Sequence, residues 1–526
     1  MTAVGIDLGT SFSSVAVVKQ GRITIASDEE GRSAIPSIVH FPKQGQPIVG
    51  FAAREMLITD PENTIFSAKR LIGRRYNDPA VNAHQMGVPY RIVEGPNGSA
   101  VISIRGEYYS VPEISAYILR HMKRIAERFL GEPVDQAVIT VPANFNDAQR
   151  EATRIAGRIA GLEVLRVLNE PTAAALSYGL GRGYEKTVAV YDFGGGTFDF
   201  TVLEIQNRIF RVVTTAGDTL LGGDDLDNAL AEHVNRLFMR QTGIDLHRDI
   251  VEWQRLLFGA EKAKCELSQA ESAEVRLAKV AYRPQGALDL AIPVSRWDAN
   301  ALWKEFVGRT LAVCDRALAD AGRTPDQIDE ILLVGGTTFV PLVRAAVEQY
   351  FRQKPRADVD PTLAVALGAA MQAAALSAAP SPDPRQVKAL LLDVIPLTIG
   401  IAAAGGLMEP IIERNSAIPV EKTRRFSTSR DGQTEVKLRI YQGESRKVAE
   451  NIFLGELVVG GLRPAPRGTI DIDVTFEVDT DGILNVTARD LDSGRLHSTR
   501  VKISGELSEE AIARLRSRYE DPSGGR

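Results

Sequence analysis

Asp7 and Asp192 each end an apolar strand and precede a turn of small residues. Gly5-Ile6-Asp7-Leu8-Gly9-Thr10-Ser11 opens the chain, and Val190-Tyr191-Asp192-Phe193-Gly194-Gly195-Gly196-Thr197 repeats the pattern in its middle. A second apolar strand follows each turn, Val15 to Val18 and Phe200 to Leu203. Such turns let backbone N–H groups approach phosphate oxygens, because glycine lacks a Cβ and tolerates positive φ. Thr10 and Thr197 add hydroxyl donors. The two carboxylates repel bare phosphate but suit a magnesium ion that keeps most of its water and bridges carboxylate to phosphate. Either copy alone is explained by a Gly-rich hairpin turn beside an Asp. The matched Asp and Gly positions favour two hairpins closing on one nucleotide. Neither copy is a Walker loop or the Gly-x-Gly-x-x-Gly turn of a dinucleotide fold.

Hairpins of this kind need a scaffold. At 526 residues the chain exceeds what one core serves, and about three or four folding units are expected. From residue 1 to about 379, apolar strands alternate with helical segments, as in Val138 to Val141 followed by Asp147 to Ala160, which predicts an α/β architecture. Leu363 to Ala379 is mainly Ala and Gly; it is short for a bilayer span and predicts a buried, closely packed helix. Pro380-Ser381-Pro382-Asp383-Pro384 marks a boundary, since proline neither extends a helix nor donates in a sheet. Leu390-Leu391-Leu392-Asp393 then reads either as the first strand of the next domain or as a segment that docks on a neighbour in one state and detaches in another.

Beyond residue 393 the period becomes two. Ile470, Ile472, Val474, Phe476 and Val478 alternate with Asp471, Asp473, Thr475 and Glu477, and Val436, Leu438 and Ile440 alternate with Lys437 and Arg439. An antiparallel β domain with one dry face is predicted to about residue 506. Ser508-Glu509-Glu510-Ala511-Ile512 opens a last helix that Asp521-Pro522 stops within about a dozen residues, a length marginal in water by itself.

Composition excludes several classes. A hydrophobic content of 44% with 25% charged residues is ordinary for a globular protein. The net charge of -5 argues against general nucleic-acid affinity, which needs an excess of Lys and Arg. Cys265 and Cys314 lack metal-ligand spacing, so neither a disulfide framework nor a zinc site is indicated. The N-terminus has no basic segment ahead of a signal-like core. A cytoplasmic location without membrane insertion is expected.

Longer strings converge on one family: Phe66-Ser67-Ala68-Lys69-Arg70-Leu71-Ile72-Gly73-Arg74-Arg75, Val138 to Arg150, Leu168-Asn169-Glu170-Pro171-Thr172 with Ala173 to Ala175, Gly217 to Gly223, Glu261-Lys262-Ala263-Lys264, and Leu333-Val334-Gly335-Gly336. Together they resemble the seventy-kilodalton heat-shock protein (DnaK) family over nearly the whole chain. The resemblance implies an α/β actin-like (duplicated RNase H-like) ATPase domain, 1–379, an interdomain linker, 380–392, an all-β sandwich that binds peptide, 393–506, and a truncated lid helix with a tail, 507–526. It implies an ATP-dependent molecular chaperone that binds extended apolar segments of unfolded proteins, with hydrolysis coupled to binding and release.

The residue roles follow from that resemblance. Asp7, Asp192 and Asp199 match the carboxylates around hydrated Mg2+ and K+, and Asp192 and Thr197 also belong to the catalytic set. Thr10, Ser11, Phe12, Gly194, Gly195, Gly196 and Thr197 fall on the phosphate cradle of ATP or ADP. Lys69 matches the lysine that orients the attacking water, and Glu170 the acid beside it, which suits phosphoryl transfer by positioning and charge neutralisation. Glu261, Lys264, Ser268, Gly335, Gly336 and Phe339 fall on the ribose and adenine grip. Ile401, Ala403, Ala404, Phe426, Ser427, Ser429, Val436 and Leu438 occupy the peptide groove; without the family they read as sandwich core. Pro142, Arg150, Arg166, Leu390, Leu391, Asp393 and Asp481 match positions of interdomain coupling. A J-domain co-chaperone and a nucleotide-exchange factor are the partners implied beside unfolded polypeptide.

The chain also departs from the pattern. Phe339 stands where an arginine usually stacks on adenine, so the ring can stack but its cation is lost. Thr362 and Leu363 replace an acidic pair, and Phe12 replaces a small polar residue at the first turn. Weak ATP turnover is therefore expected, and a nucleotide-binding, client-specific adaptor with little or no hydrolysis is the alternative. Lys388 replaces an Asp of the connector, and Asn144 replaces an aromatic on the co-chaperone surface. Ala403 and Ala404 replace larger residues that arch over peptide, and the family's helical lid goes on for about a hundred residues beyond the point this chain reaches. Fast, weak peptide exchange follows, because affinity differences between related complexes lie mostly in dissociation. A small-molecule kinase on the same duplicated fold does not account for the β domain.

Overall fold

The computed structural model describes residues 2–178, 185–206, 209–284, 286–356, 358–377, 390–494, 496–499 and 508–520. Each Asp-bearing hairpin lies at the centre of a mixed sheet, and the two sheets share one order. In the first, Ala3–Leu8 runs antiparallel to Phe12–Lys19, which pairs with Arg22–Ile25. On its other side Ala3–Leu8 is parallel to Gln136–Val141, which is parallel to Glu163–Asn169. In the second, Glu185–Phe193 runs antiparallel to Phe198–Gln206 and that strand to Ile209–Asp218, while Glu330–Val334 lies parallel on the far side. The sequence repeat is thus a repeat of topology that places Asp7 and Asp192 on equivalent central strands.

Helix Asp147–Ile159 makes the crossover between the parallel strands Gln136–Val141 and Glu163–Asn169. Asn146 starts it with a reciprocal cap, its side chain accepting the Gln149 N–H at 3.0 Å while the Gln149 side chain accepts the Asn146 N–H at 3.1 Å. Helix Glu170–Ser177 begins directly after strand Glu163–Asn169, with Pro171 in its first turn.

The Ala-rich segment forms helix Ala364–Ser377 and packs against helix Glu170–Ser177 and strand Ala3–Leu8. Its small residues are required by close approach. A Cβ on Gly368 would sit 1.7 Å from the Ala173 carbonyl oxygen, and one on Gly5 would sit 2.0 Å from the Ala370 nitrogen. None of the described helices is long and apolar enough to cross a membrane.

Leu390–Leu392 extends the second sheet, pairing parallel with Ile209, Phe210 and Arg211. Leu391 is buried in a core shared with Phe210, Val212, Val190 and Leu332. Of the two sequence-based alternatives, the described contacts are those of a docked segment. The linker residues 380–389, Lys388 among them, lie outside the described residues, as do 507 and 521–526 of the C-terminal segment.

Two four-stranded antiparallel sheets form the following sandwich. Alternation sorts its faces: Ile472, Val474, Phe476 and Val478 are buried, and they share a core with Leu438, Ile440 and Leu457. Helix Glu509–Glu520 packs on helix Asp147–Ile159 of the first lobe. Ile512 is buried there, Leu515 packs on the first-lobe core, and Arg158 bonds Glu509 at 2.9 Å. Tertiary packing supplies what a helix of that length lacks in isolation.

Because Gly368 has a backbone oxygen where a methyl group would go, Gly368→Ala must push two helices apart. A loss of about 3 kcal/mol is expected, read as a lowered first thermal transition. An unchanged transition would show that the helices do not pack this closely.

Candidate functional site

The hairpins meet at a cleft of about 680 Å³ between the lobes. Their glycines are needed because one hairpin fills the space of the other. A Cβ on Gly195 would lie 2.0 Å from Ser11 Oγ, and one on Gly196 would lie 2.5 Å from Thr10 Cγ2. Gly335, at φ 83°, turns against the second hairpin, where a Cβ would lie 2.3 Å from the Phe193 carbonyl oxygen. Thr337 Oγ1 donates to the Gly194 carbonyl at 2.8 Å, and the Asp224 N–H donates to the Gly195 carbonyl at 2.8 Å.

Lys69 Nζ donates to Glu170 Oε1 at 2.7 Å with both side chains nearly dry. Ser67, in the left-handed region at φ 50°, precedes Lys69, and its hydroxyl reaches Asp224 Oδ2 at 3.2 Å. Backbone held in a sparsely populated region beside a cleft is common where a side chain must be aimed.

Negative charge is in excess here. Loss of solvent, followed by the charge of Glu170, pushes Asp7 and Asp199 up to about 7. The same two causes, with Asp199 and Asp7 adding to them, push Asp192 well above the usual carboxylate range. Lys69 is the cation acting on all three. A buried group of carboxylates so poorly compensated fits a bound cation. Among the described residues no three His, Cys, Asp or Glu converge as direct metal ligands. That donor set suits an ion held through its own water, as Mg2+ commonly is. Ser14 Oγ and Asp227 Oδ1, both on residues lining the cleft, have no hydrogen-bond partner among the described residues.

Asp7, Thr10, Ser11, Phe12, Lys69, Glu170, Asp192, Gly194, Gly195, Thr197, Glu261, Lys264, Gly335 and Gly336 line this one cleft. Four expected residues are not in its lining. Asp199 is buried behind it and accepts from Asn144 Nδ2 at 2.5 Å; Gly196 is buried under Thr10. Ser268 closes its own helix, its hydroxyl donating to the Lys264 carbonyl at 3.1 Å. Phe339 is 41% exposed and is covered by the guanidinium of Arg344, 5.2 Å from its ring centre.

On the cleft wall, helix Ile250–Leu267 carries Glu261, which pairs with Arg54 of the opposite lobe. It also carries Lys264, which donates to Asp227 Oδ2 at 2.6 Å. Thr362 lines the cleft and bonds Asp360 through its N–H at 2.8 Å. Sequence reasoning missed Arg54, Arg70, Asp224, Asp225, Asp227 and Cys265, all in the lining. For Arg70 and Cys265 the available signal was adjacency to Lys69 and Lys264.

The segment from Pro142 to Asn146 runs behind the cleft. Asn144 donates to Asp199 through its side chain at 2.5 Å and its N–H at 3.4 Å. This residue, expected on a co-chaperone surface, therefore bonds toward the site. On the other side of the same segment, buried Arg150 donates to the carbonyls of Ala143 at 3.1 Å and Phe145 at 3.0 Å, and to Asn169 Oδ1 at 2.7 Å. Phe145 N–H donates to the Pro142 carbonyl at 3.1 Å. Arg150 also reaches the Asp481 carbonyl of the sandwich at 3.3 Å. Arg154 pairs with the Asp481 carboxylate, and Arg166 Nε stands 3.9 Å from it. Asp393, after the connector strand, accepts from Asn169 Nδ2 at 2.8 Å.

In the sandwich, Ile401, Val436 and Leu438 are buried in the core, with Phe426 packed against it. Ala403 is half-buried, and Ser427 and Ser429 are exposed. The side chain of Ala404 lies outside the described ones.

A family model described as Hsp70 protein matches residues 3–523, and the chain belongs to that family. Its members are ATP-dependent chaperones and ATPases that bind ATP or ADP with Mg2+ and take unfolded polypeptides as clients. An actin-like ATPase domain joined to a β-sandwich is the family architecture, which the two matched sheets and the antiparallel sandwich fit.

Lys69→Ala leaves Glu170 among three other carboxylates without its partner. It should lower ATP turnover by about 10²-fold or more while nucleotide binding persists. Single-turnover phosphate release checks this, and an unchanged rate would remove Lys69 from the chemistry.

Proposed function

We propose that this Hsp70-family chain hydrolyses ATP in the cleft and uses the nucleotide state to dock and release its β-sandwich, which takes extended apolar peptide. One observation carries the reading. Adjacent residues serve opposite ends of the apparatus: Glu170 bonds Lys69 in the cleft, and Asn169 bonds Asp393 of the connector. A shift of one is transmitted to the other through a single peptide unit at the start of a packed helix.

In this reading Thr10, Ser11, Thr197 and the turn backbones cradle the phosphates, with Gly335 and Gly336 toward adenosine. Asp7, Asp192 and Asp199 hold hydrated Mg2+ and K+, ions that neutralise charge on the polyphosphate. Lys69 orients the attacking water and Glu170 fixes Lys69. Glu261, bridged to Arg54 across the mouth, holds the lobes together on the nucleotide. Arg344 over Phe339 restores a cation near the position that lost its arginine, which favours useful affinity.

In the sandwich, backbone pairing along an edge supplies affinity, and a pocket near Val436 takes one apolar side chain. Small residues at Ala403 and Ala404, and a C-terminal helix that packs on the first lobe, favour fast exchange. A non-hydrolysing adaptor is the second reading, favoured by Phe339 standing outside the cleft. Cytoplasmic placement, a J-domain partner and an exchange factor belong to the proposal as the family implies them.

The test is ATP turnover with and without an extended apolar peptide. Peptide should raise turnover severalfold in the wild type and leave Asp393→Ala unmoved. Turnover that never responds to peptide contradicts coupling, and absent turnover supports the adaptor.

Docking should also depend on pH. Asp147 lies buried on helix Asp147–Ile159, and its Oδ1 accepts the Leu484 N–H of the sandwich at 2.5 Å. Burial first, then the charges of Glu151 and Asp479, push it up to about 7, against a lowering by Arg150 and the Leu484 bond. The docked form therefore binds a proton more readily than a solvated Asp147 with its ordinary value near 3.8. Docking is then strongest at low pH and weakens as pH rises through about 7. Between pH 6 and pH 8 the docking constant should fall about tenfold, measured with a fluorescent pair across the two parts. Asp147→Asn should flatten the profile, and an equal slope in that variant would assign the effect elsewhere.

A further inference from the structure

Lys69 sits in the short helical turn Ala68–Leu71, and the chain enters that turn through Ser67 in the left-handed region at φ 50°. A residue with a side chain keeps such a conformation only where its surroundings impose it. The φ of Ser67 sets the direction of the peptide group that joins it to Phe66. Whatever holds the Phe66 carbonyl therefore holds the entry to the Lys69 turn.

Tyr90 holds that carbonyl. It is fully buried, its ring meets the Phe66 ring edge-on with centres 5.7 Å apart, and its hydroxyl donates to the Phe66 carbonyl at 2.6 Å. The hydroxyl has a single proton, so once this is given to a carbonyl the Tyr90 oxygen can only accept. His84 Nε2 stands 2.8 Å from the same oxygen and must carry the ring proton to bond it. Burial, with Arg70 and Arg74 adding to it, pushes His84 down to about 3, so the ring is neutral and holds one tautomer.

This brace is itself anchored. His84 belongs to helix Pro79–Gln85, which Asp78 caps by accepting the Ala80 N–H at 2.8 Å. Gln85 donates to the Tyr90 carbonyl at 3.1 Å and accepts the Ile92 N–H at 2.7 Å. Beyond Lys69, Arg74 Nε donates to the Arg70 carbonyl at 2.8 Å, and its Nη1 donates to Asp78 Oδ2 at 2.8 Å. The carbonyls on both sides of Lys69 are thus tied to the two ends of one small helix. Tyr90 does not line the cleft, so its effect runs through the backbone that aims Lys69.

We infer that Tyr90, with His84 behind it, is a positioning residue for Lys69: it fixes the Phe66 carbonyl, and through it the Ser67 turn, so that the ammonium stays on Glu170 in the cleft. This rests on the proposed reading in which Lys69 orients the attacking water.

The test is single-turnover ATP hydrolysis by the full chain, beside calorimetric ATP affinity. Tyr90→Phe removes one hydroxyl from a ring that stays buried, and turnover should fall about tenfold while ATP affinity changes less than about threefold. In a Lys69→Ala background the same substitution should change the remaining rate less than about twofold, because the group it aims is gone. His84→Ala should slow turnover about threefold, and His84→Gln, which keeps a donor at similar reach, should recover most of that loss. Unchanged turnover in Tyr90→Phe overturns the assignment. So does an equal loss with and without Lys69, which would place the effect elsewhere, and so does a parallel loss of turnover and ATP affinity, which would make Tyr90 part of the cleft wall's support alone. Should Tyr90→Phe fail to fold, the His84 variants decide: a loss in His84→Ala that His84→Gln does not recover overturns the brace. A wild type without turnover sinks the hydrolysis reading and the brace with it, whereas the preceding outcomes sink the brace alone.

Discussion

Buried polar contacts from both the cleft and the sandwich converge on one strand-to-helix junction. Strand Glu163–Asn169 ends as helix Glu170–Ser177 begins, and consecutive side chains at such a junction diverge. Glu170 goes to Lys69 and Asn169 goes to Asp393 and Arg150. All of these groups are buried. A buried charge that loses its partner costs several kcal/mol, far more than a surface pair is worth, so each of these groups holds its neighbour in place. Surface ion pairs such as Arg158–Glu509 do not impose that constraint.

The carboxylates around the cleft are the counterpart of this arrangement. Three buried Asp residues and Glu170 face mainly Lys69, and burial together with the charge of Glu170 raises all three Asp values. In the proposed reading a hydrated cation offsets that negative charge. Asn144 and the segment from Pro142 to Asn146 then connect Asp199 to Arg150. The site therefore reaches the sandwich by two routes, one through Asn169 and one through Asn144.

Much of this was legible in residue order. The repeated hairpins, the period-two strands of the sandwich and the tight Ala-rich helix follow from local pattern, and each is found where the pattern puts it. Local pattern did not settle the partner of Leu390–Leu392, because three apolar residues satisfy any dry sheet edge and the edge beside Ile209–Asp218 is formed by residues far away in the chain. Nor did it reveal why Gly195 and Gly196 are glycines. They leave room for Ser11 and Thr10 of the other hairpin, a requirement that exists only once the lobes have closed. Arg344 over Phe339 depends on the turn and helix that follow Gly335, so a position that reads as a lost cation in sequence keeps one in space. Ile401, Val436 and Leu438 show the opposite limit, since period-two burial looks the same for a core and for the floor of a groove.

The docking interface has the composition of an element that can be switched. Arg150, Arg154, Arg166, Asp147, Asp393 and Asp481 are charged groups that water would solvate well; across the interface Arg150 donates to the Asp481 carbonyl at 3.3 Å and Asn169 donates to Asp393 at 2.8 Å, whereas the bonds of Arg150 to Ala143, Phe145 and Asn169 stay within its own lobe. Net gains from such exchanges are small, on the order of 1.5–3 kcal/mol per charged hydrogen bond before desolvation is subtracted. Burial works against the charge of Arg150 and Asp393 alike. Leu391, buried with Phe210 and Val212, adds an apolar contact beside these charged groups. Taking a two-state element from about 1:99 to 99:1 requires about 5.5 kcal/mol of differential binding. In the reading proposed above, that difference would come from nucleotide and its cation binding among the buried carboxylates of the cleft.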